Sequence, residues 1–151
     1  MTNIIHPLDS LSKEEIEKSI ALFRLDKKSD ENSVFSYITL EEPEKEFVKN
    51  FKSGDKFSRQ SRIVGIDSNS KGFEVLVDLT EEKIISFISL SDEAGPTYTM
   101  IEILTAIQLT LENKQYQEAL KRRGITDLNL IQIDPWPGGG IVNKNIKKGH
   151  R

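Results

Sequence analysis

The side chains able to do metal, redox or nucleophilic chemistry are few and scattered. The 151 residues contain no cysteine and two histidines. That removes disulfides, thiol catalysis and zinc-ribbon sites together, and is consistent with a reducing compartment. His6 and His150 stand near opposite ends, so no site of three imidazoles can be built within one chain. His6, next to Pro7, reads as a turn residue rather than a ligand. The carboxylate pairs Glu14-Glu15, Glu41-Glu42 and Glu81-Glu82 fall at expected helix starts and turns, where structural roles suffice; general acid–base work would need a cleft around them. Gly138-Gly139-Gly140 follows an apolar stretch, opens no helical pattern and lacks the Lys-Ser/Thr of a phosphate loop, so it reads as a linker. Lys121-Arg122-Arg123 ends a helical stretch, where basic residues complement the helix dipole. No nucleophile sits in a base-activating pattern, and no catalytic, metal or cofactor-binding residue is assigned.

One side chain resists a bland reading. Trp136, the only tryptophan, stands between Pro135 and Pro137 beside an apolar stretch. It is either a plug for a local core or an anchor at an interface, where aromatic residues are enriched among the strongest contacts. Trp136, Pro135 and Ile141 are therefore the candidate partner contacts.

The charge balance narrows the class of partner. Twenty-one basic against 24 acidic residues leave a net charge of −3, which gives no concentrated basic field for nucleic acid or anionic membrane. No apolar run approaches the roughly 18 residues of a membrane span, and the start lacks signal-peptide character. A cytoplasmic location is the default expectation.

The elements that position these residues follow from capping and periodicity. Leu11-Ser12-Lys13-Glu14-Glu15-Ile16 carries a capping box, Ser12 with Glu15, and a hydrophobic staple, Leu11 with Ile16. Ile16, Ile20 and Phe23 then share a face of a helix reaching about Lys27. Val34 to Leu40 reads as a strand, closed by Glu41-Glu42-Pro43. A short helix follows, with Phe47, Val48 and Phe51 as its buried face and Gly54 as a left-handed stop. Arg59 to Asp67, Gly72 to Thr80 and Ile84 to Leu90 form a meander joined by short polar turns. Phe73, Val75, Val77 and Leu79 alternate with Glu74, Leu76, Asp78 and Thr80, so the first helix is the expected cover for one face. The fold class is α+β: a cystatin-like antiparallel sheet packed on a long helix.

After Gly95-Pro96 the pattern restarts. Thr99 with Glu102 forms a second capping box, and Met100, Ile103, Leu104, Ile107 and Leu111 fall at helical spacing. A helix from Gln115 to Arg123 stops at Gly124, and Leu128 to Ile133 reads as a strand closed by Asp134-Pro135. The second half thus repeats the opening of the first without its meander, giving an incomplete second copy of two helices and one strand. A lone strand and a broadly apolar helix leave each other uncovered. The expected organisation is a first domain over 1–92, a partial second over 93–137 and a flexible tail over 138–151.

Four segments carry a family resemblance: His6 to Ile16, Phe35 to Pro43, Gly72 to Thr80, and Gln115 to Gly140 with its Asp-Pro-Trp-Pro-Gly-Gly-Gly ending. In this order they resemble the first small N-terminal domain and the start of the second in the copper-dependent, quinone-containing primary amine oxidases. Both small domains of that family are cystatin-like. The family's reaction, oxidative deamination of primary amines, uses a tyrosine converted to topaquinone within Asn-Tyr-Asp/Glu, three copper-binding histidines and an aspartate base. None of Tyr37, Tyr98 or Tyr116 lies in such a motif. The resemblance therefore implies a non-catalytic N-terminal region or small subunit. Copper and topaquinone are expected only in a separate catalytic chain, on which this one docks. A stand-alone cystatin-like binding module and a self-associating remnant are the alternative expectations.

Overall fold

The computed structural model describes residues 4–91 and 95–136. The chain divides into two compact units between Pro96 and Thr97.

The first unit opens with helix α1, Lys13–Leu25. Its capping box forms as the spacing predicts: the Glu15 N–H donates to Ser12 Oγ at 3.2 Å, and the Ser12 N–H donates to Glu15 Oε2 at 2.9 Å. Strands β1 (Val34–Glu41), β2 (Gln60–Ile66), β3 (Gly72–Asp78) and β4 (Lys83–Ser89) pair antiparallel in the order β1-β2-β3-β4. The unit is an α+β arrangement of one helix packed on a four-stranded meander.

The register explains the core. Val75 lies opposite Ile63 on one side and Phe87 on the other, so these side chains share the helix-facing side with Val77, Phe73 and Ile38. Phe23 of α1, fully buried, stacks on Phe73 at 5.2 Å and meets Phe35 edge-on at 5.2 Å. One polar pair is enclosed with them. Ser19 Oγ donates to the Glu15 carbonyl at 2.8 Å, and the Ser19 and Ser61 hydroxyls lie 2.6 Å apart. Both polar groups are thereby satisfied inside the core.

Both edge strands carry a one-residue bulge, at Ser36 in β1 and Ile85 in β4. A bulge twists an edge away from regular pairing with another strand.

Two details depart from the sequence reading. The short helix α2 forms over Lys45–Asn50, after Pro43, but none of its residues is buried, and Phe47 is 40% exposed. Six residues make too little helix to seat a face on the sheet. Its aromatics instead cluster at its end: Phe51 meets His6 edge-on at 5.1 Å and Phe57 at 5.5 Å. Gly54 is left-handed, φ 98°, but it does not stop the helix: α2 ends at Asn50 with an extended Phe51 as its cap, and Gly54 serves the following Lys52–Asp55 turn.

The second unit holds α3, Met100–Glu112, with the expected Thr99–Glu102 capping box, and α4, Lys114–Arg122. Helix α4 ends in paired bonds, Gly124 N–H to the Lys121 carbonyl and Ile125 N–H to the Leu120 carbonyl, with Gly124 at φ 79°. That is the Schellman pattern, which needs a left-handed residue at this position. The strand expected at Leu128 to Ile133 does not form. Leu128–Leu130 is a single 3-10 turn, held by the Asp127 carboxylate accepting from the Asn129 N–H at 2.9 Å. Apolar alternation marks a potential strand, but a strand needs a ladder partner, and the described residues offer this segment none; a local Asp turn wins. Among the described residues no helix is long and apolar enough to cross a membrane.

Candidate interaction surface

Helix α3 carries exposed apolar side chains along its length. At 100° per residue, Met100, Ile103, Leu104, Ile107 and Leu111 form one stripe, while Ile101 and Leu109 fall outside it. Met100 is 67% exposed, Ile101 72% and Leu109 63%, and no residue of α3 is buried. A helix apolar over most of its circumference is the pattern of one covered from more than one side. Leu130 and Trp136 add to it, at 80% and 84% exposed.

The proposed contact residues can now be placed. Trp136 is not a core plug in the described structure; it stands in solvent, with Pro135 half-buried beside it. Ile141 and the 138–151 tail lie outside the described residues. The first unit also exposes apolar side chains, Leu25 at 82% and Ile5 at 66% among them, but four on the single helix α3 form a concentration of the kind that marks interaction sites more often than scattered ones do.

Two arginines of the first unit are held in structural pairs. Arg59, 8% exposed, donates through Nε to Glu15 Oε1 at 2.8 Å and through Nη2 to Glu15 Oε2 at 3.0 Å. It also donates to the Pro7 carbonyl at 3.1 Å and the Ser10 carbonyl at 3.3 Å. One guanidinium thus ties the N-terminal strap, the cap of α1 and the sheet together. Burial pushes the Glu15 carboxyl up, but the Arg59 guanidinium and the Ser12 N–H outweigh it and hold the group below its ordinary 4.5. On the outer sheet face Arg62 pairs with Glu41 at 2.7 Å and with Glu74. The hydrogen bonds that Arg62 donates to Glu41, and then to Glu74, hold it more firmly protonated than a free arginine. Three of the five Arg62 donors are thus spent on structural carboxylates.

The remaining candidate chemistry resolves into local structure. Glu81 donates its N–H to the buried Asp78 carboxylate at 2.8 Å, and Glu82 sits in a tight turn at φ 53°. His6 Nδ1 accepts from the Leu8 N–H at 3.1 Å, as befits a turn residue. Tyr37 lies half-exposed on the outer sheet face opposite Val64. No group of three His, Asp or Glu among the described residues could hold a metal ion. With two histidines in the sequence, the donor set does not fit a three-imidazole copper site. A depression of about 540 Å³ lined by Asp55, Lys56, Phe57, Ser58 and Thr80 is open and shallow rather than an enclosed ligand pocket.

Sequence reasoning missed Arg59 and Arg62. Arg59 and Glu15 are 44 positions apart, and nothing in the spacing links them. The only hint was a basic residue opening a strand next to apolar positions.

Residues 6–89 match the family model described as copper amine oxidase, N2 domain. Over 146 residues the chain is 27% identical to a primary amine oxidase of Arthrobacter sp. (strain P1), covering 96% of this chain and 22% of that protein. A primary amine oxidase of Klebsiella aerogenes is 29% identical over 93% of the chain and 19% of its own length. One from Pisum sativum is 30% identical over 87% and 19%. The chain spans about a fifth of the length of these curated relatives.

Proposed function

The chain belongs to the copper amine oxidase N2-domain family, and from that premise we propose that it is a non-catalytic N-terminal portion of a copper amine oxidase, which docks through its second unit onto the portion that carries copper and the quinone. The observation that carries this reading is a conjunction. Similarity runs through nearly all of this chain yet covers about a fifth of each relative, and the residues present do not fit a copper site.

The dock is assigned to α3 and the Leu130–Trp136 segment because their apolar side chains are exposed while the first unit has a filled core. In this reading the chain stabilises the assembly and helps shape access to the active site, and the chemistry belongs to the partner. Self-association is the second reading, since an exposed apolar helix could also pair with another copy; the bulges in β1 and β4 oppose it along the sheet edges. The open depression lends no support to a stand-alone small-molecule module.

The test is amine-dependent hydrogen peroxide production by the purified 151-residue chain with copper supplied. None is expected with any primary amine. Sustained turnover by this chain alone would end the proposal.

A further inference from the structure

The caps of α3 and α4 are complete, yet among the described residues little of this unit is buried. Among the described residues of this unit, Leu120 is the single buried apolar side chain, whereas the first unit closes around a cluster of six. Helix α3 has 13 residues and α4 has nine. Isolated helices shorter than about 12–15 residues are marginal in water, because most helical stability in proteins comes from packing an apolar face. The composition of α3 works against it too. Ile101, Ile103, Ile107, Thr105 and Thr110 are β-branched and lose side-chain freedom in a helix. A capping box offsets the ordering of roughly one or two residues, not of a whole helix.

We infer that the second unit folds conditionally: α3 and α4 keep this arrangement only against the apolar surface that covers them, and in the chain alone they open while the first unit stays folded. The identity of the covering surface, the remainder of an amine oxidase, rests on the function proposed above. The conditional folding rests on the packing of this unit.

Two consequences follow. Docking and folding become one step, so part of the interaction free energy goes into ordering the helices and the contact is more readily released than its apolar area suggests. An unassembled chain also offers Lys114, Lys121, Arg122 and Arg123 on an opened backbone to trypsin-like proteases, so undocked copies are removed first.

Amide hydrogen exchange read by mass spectrometry tests this on the 151-residue chain without a partner, at a concentration where light scattering gives the 17.2 kDa of one chain. The expected result is that amides of Ile103–Glu112 exchange less than about a hundredfold slower than in an unstructured peptide, while those of β2 and β3 are slowed by about a thousandfold or more. Slowing of the α3 amides by about a hundredfold or more would overturn the inference. Since no partner is present, that failure would leave the docking proposal to stand or fall on its own peroxide and co-purification measurements.

Discussion

Arg59 is the residue on which most of the first unit's polar architecture converges. Its bonds to Glu15, Pro7 and Ser10 hold three segments that hydrophobic contact alone would leave free to slide. Truncating one partner of such a pair strands the other charge in a poorly solvated place. Arg59→Ala is therefore expected to destabilise the first unit by about 3 kcal/mol in chemical denaturation. The pairing also sets an acid limb. Because the folded Glu15 carboxyl lies below its ordinary 4.5, it contributes stability that is fully present above that value and lost as pH falls through the lower folded one. Glu15→Gln should flatten the loss of stability below about pH 4.5, as read by thermal unfolding across pH. A left-handed turn residue predicts a change of opposite sign. Ser70 sits at φ 62°, a conformation that strains a side chain bearing Cβ and is relaxed for glycine. Ser70→Gly should raise stability by about 0.5 kcal/mol, the relief exceeding the extra chain entropy glycine loses.

At the scale of elements, the first unit was legible where its determinants are local. The Ser12–Glu15 and Thr99–Glu102 boxes, the Gly124 stop and the β3 alternation are each written within a few residues, and each forms. What failed needed long-range information. The aromatics of α2 promise a buried face, but a six-residue helix beside an already filled core has nowhere to bury it. Leu128 to Ile133 has the composition of a strand, but a strand is a property of a pair. The Arg59–Glu15 and Arg62–Glu41–Glu74 pairings were illegible for the same reason, since register brings together residues that spacing does not. Register also explains a glycine. A Cβ on Gly65 would collide with the Val34 carbonyl and come within 2.7 Å of the Phe73 ring, both groups of the packed sheet. Gly65→Ala should cost about 2–3 kcal/mol in denaturant unfolding, because the neighbours that would have to move are backbone and a core ring. The exposed helix predicts the converse. Ile101→Asp should leave unfolding of the first unit within about 0.5 kcal/mol of the parent. It should weaken association with the catalytic portion by about a hundredfold in a binding titration, as loss of an apolar anchor at an interface does.

The whole molecule joins a unit with a filled core to one that, among its described residues, buries a single apolar side chain. Met1–Pro96 contains the helix, the sheet and the filled core between them. From Thr97 on, the chain repeats the capped opening of the first unit and then presents α3, Leu130 and Trp136 to solvent. The restart of capped helical spacing after Gly95-Pro96 was visible in the sequence. The exposure of Trp136 was not, because an isolated tryptophan between prolines fits a core plug as well as an anchor. The central claim is that these residues serve a copper-bearing enzyme without holding copper themselves. The most direct test is native purification through this chain from its source cells, with copper analysis and peptide identification of everything recovered. The account predicts copper together with polypeptide carrying an Asn-Tyr-Asp/Glu motif and the histidines this chain lacks. Recovery of the 151-residue chain alone, free of copper and of any such polypeptide, would contradict it.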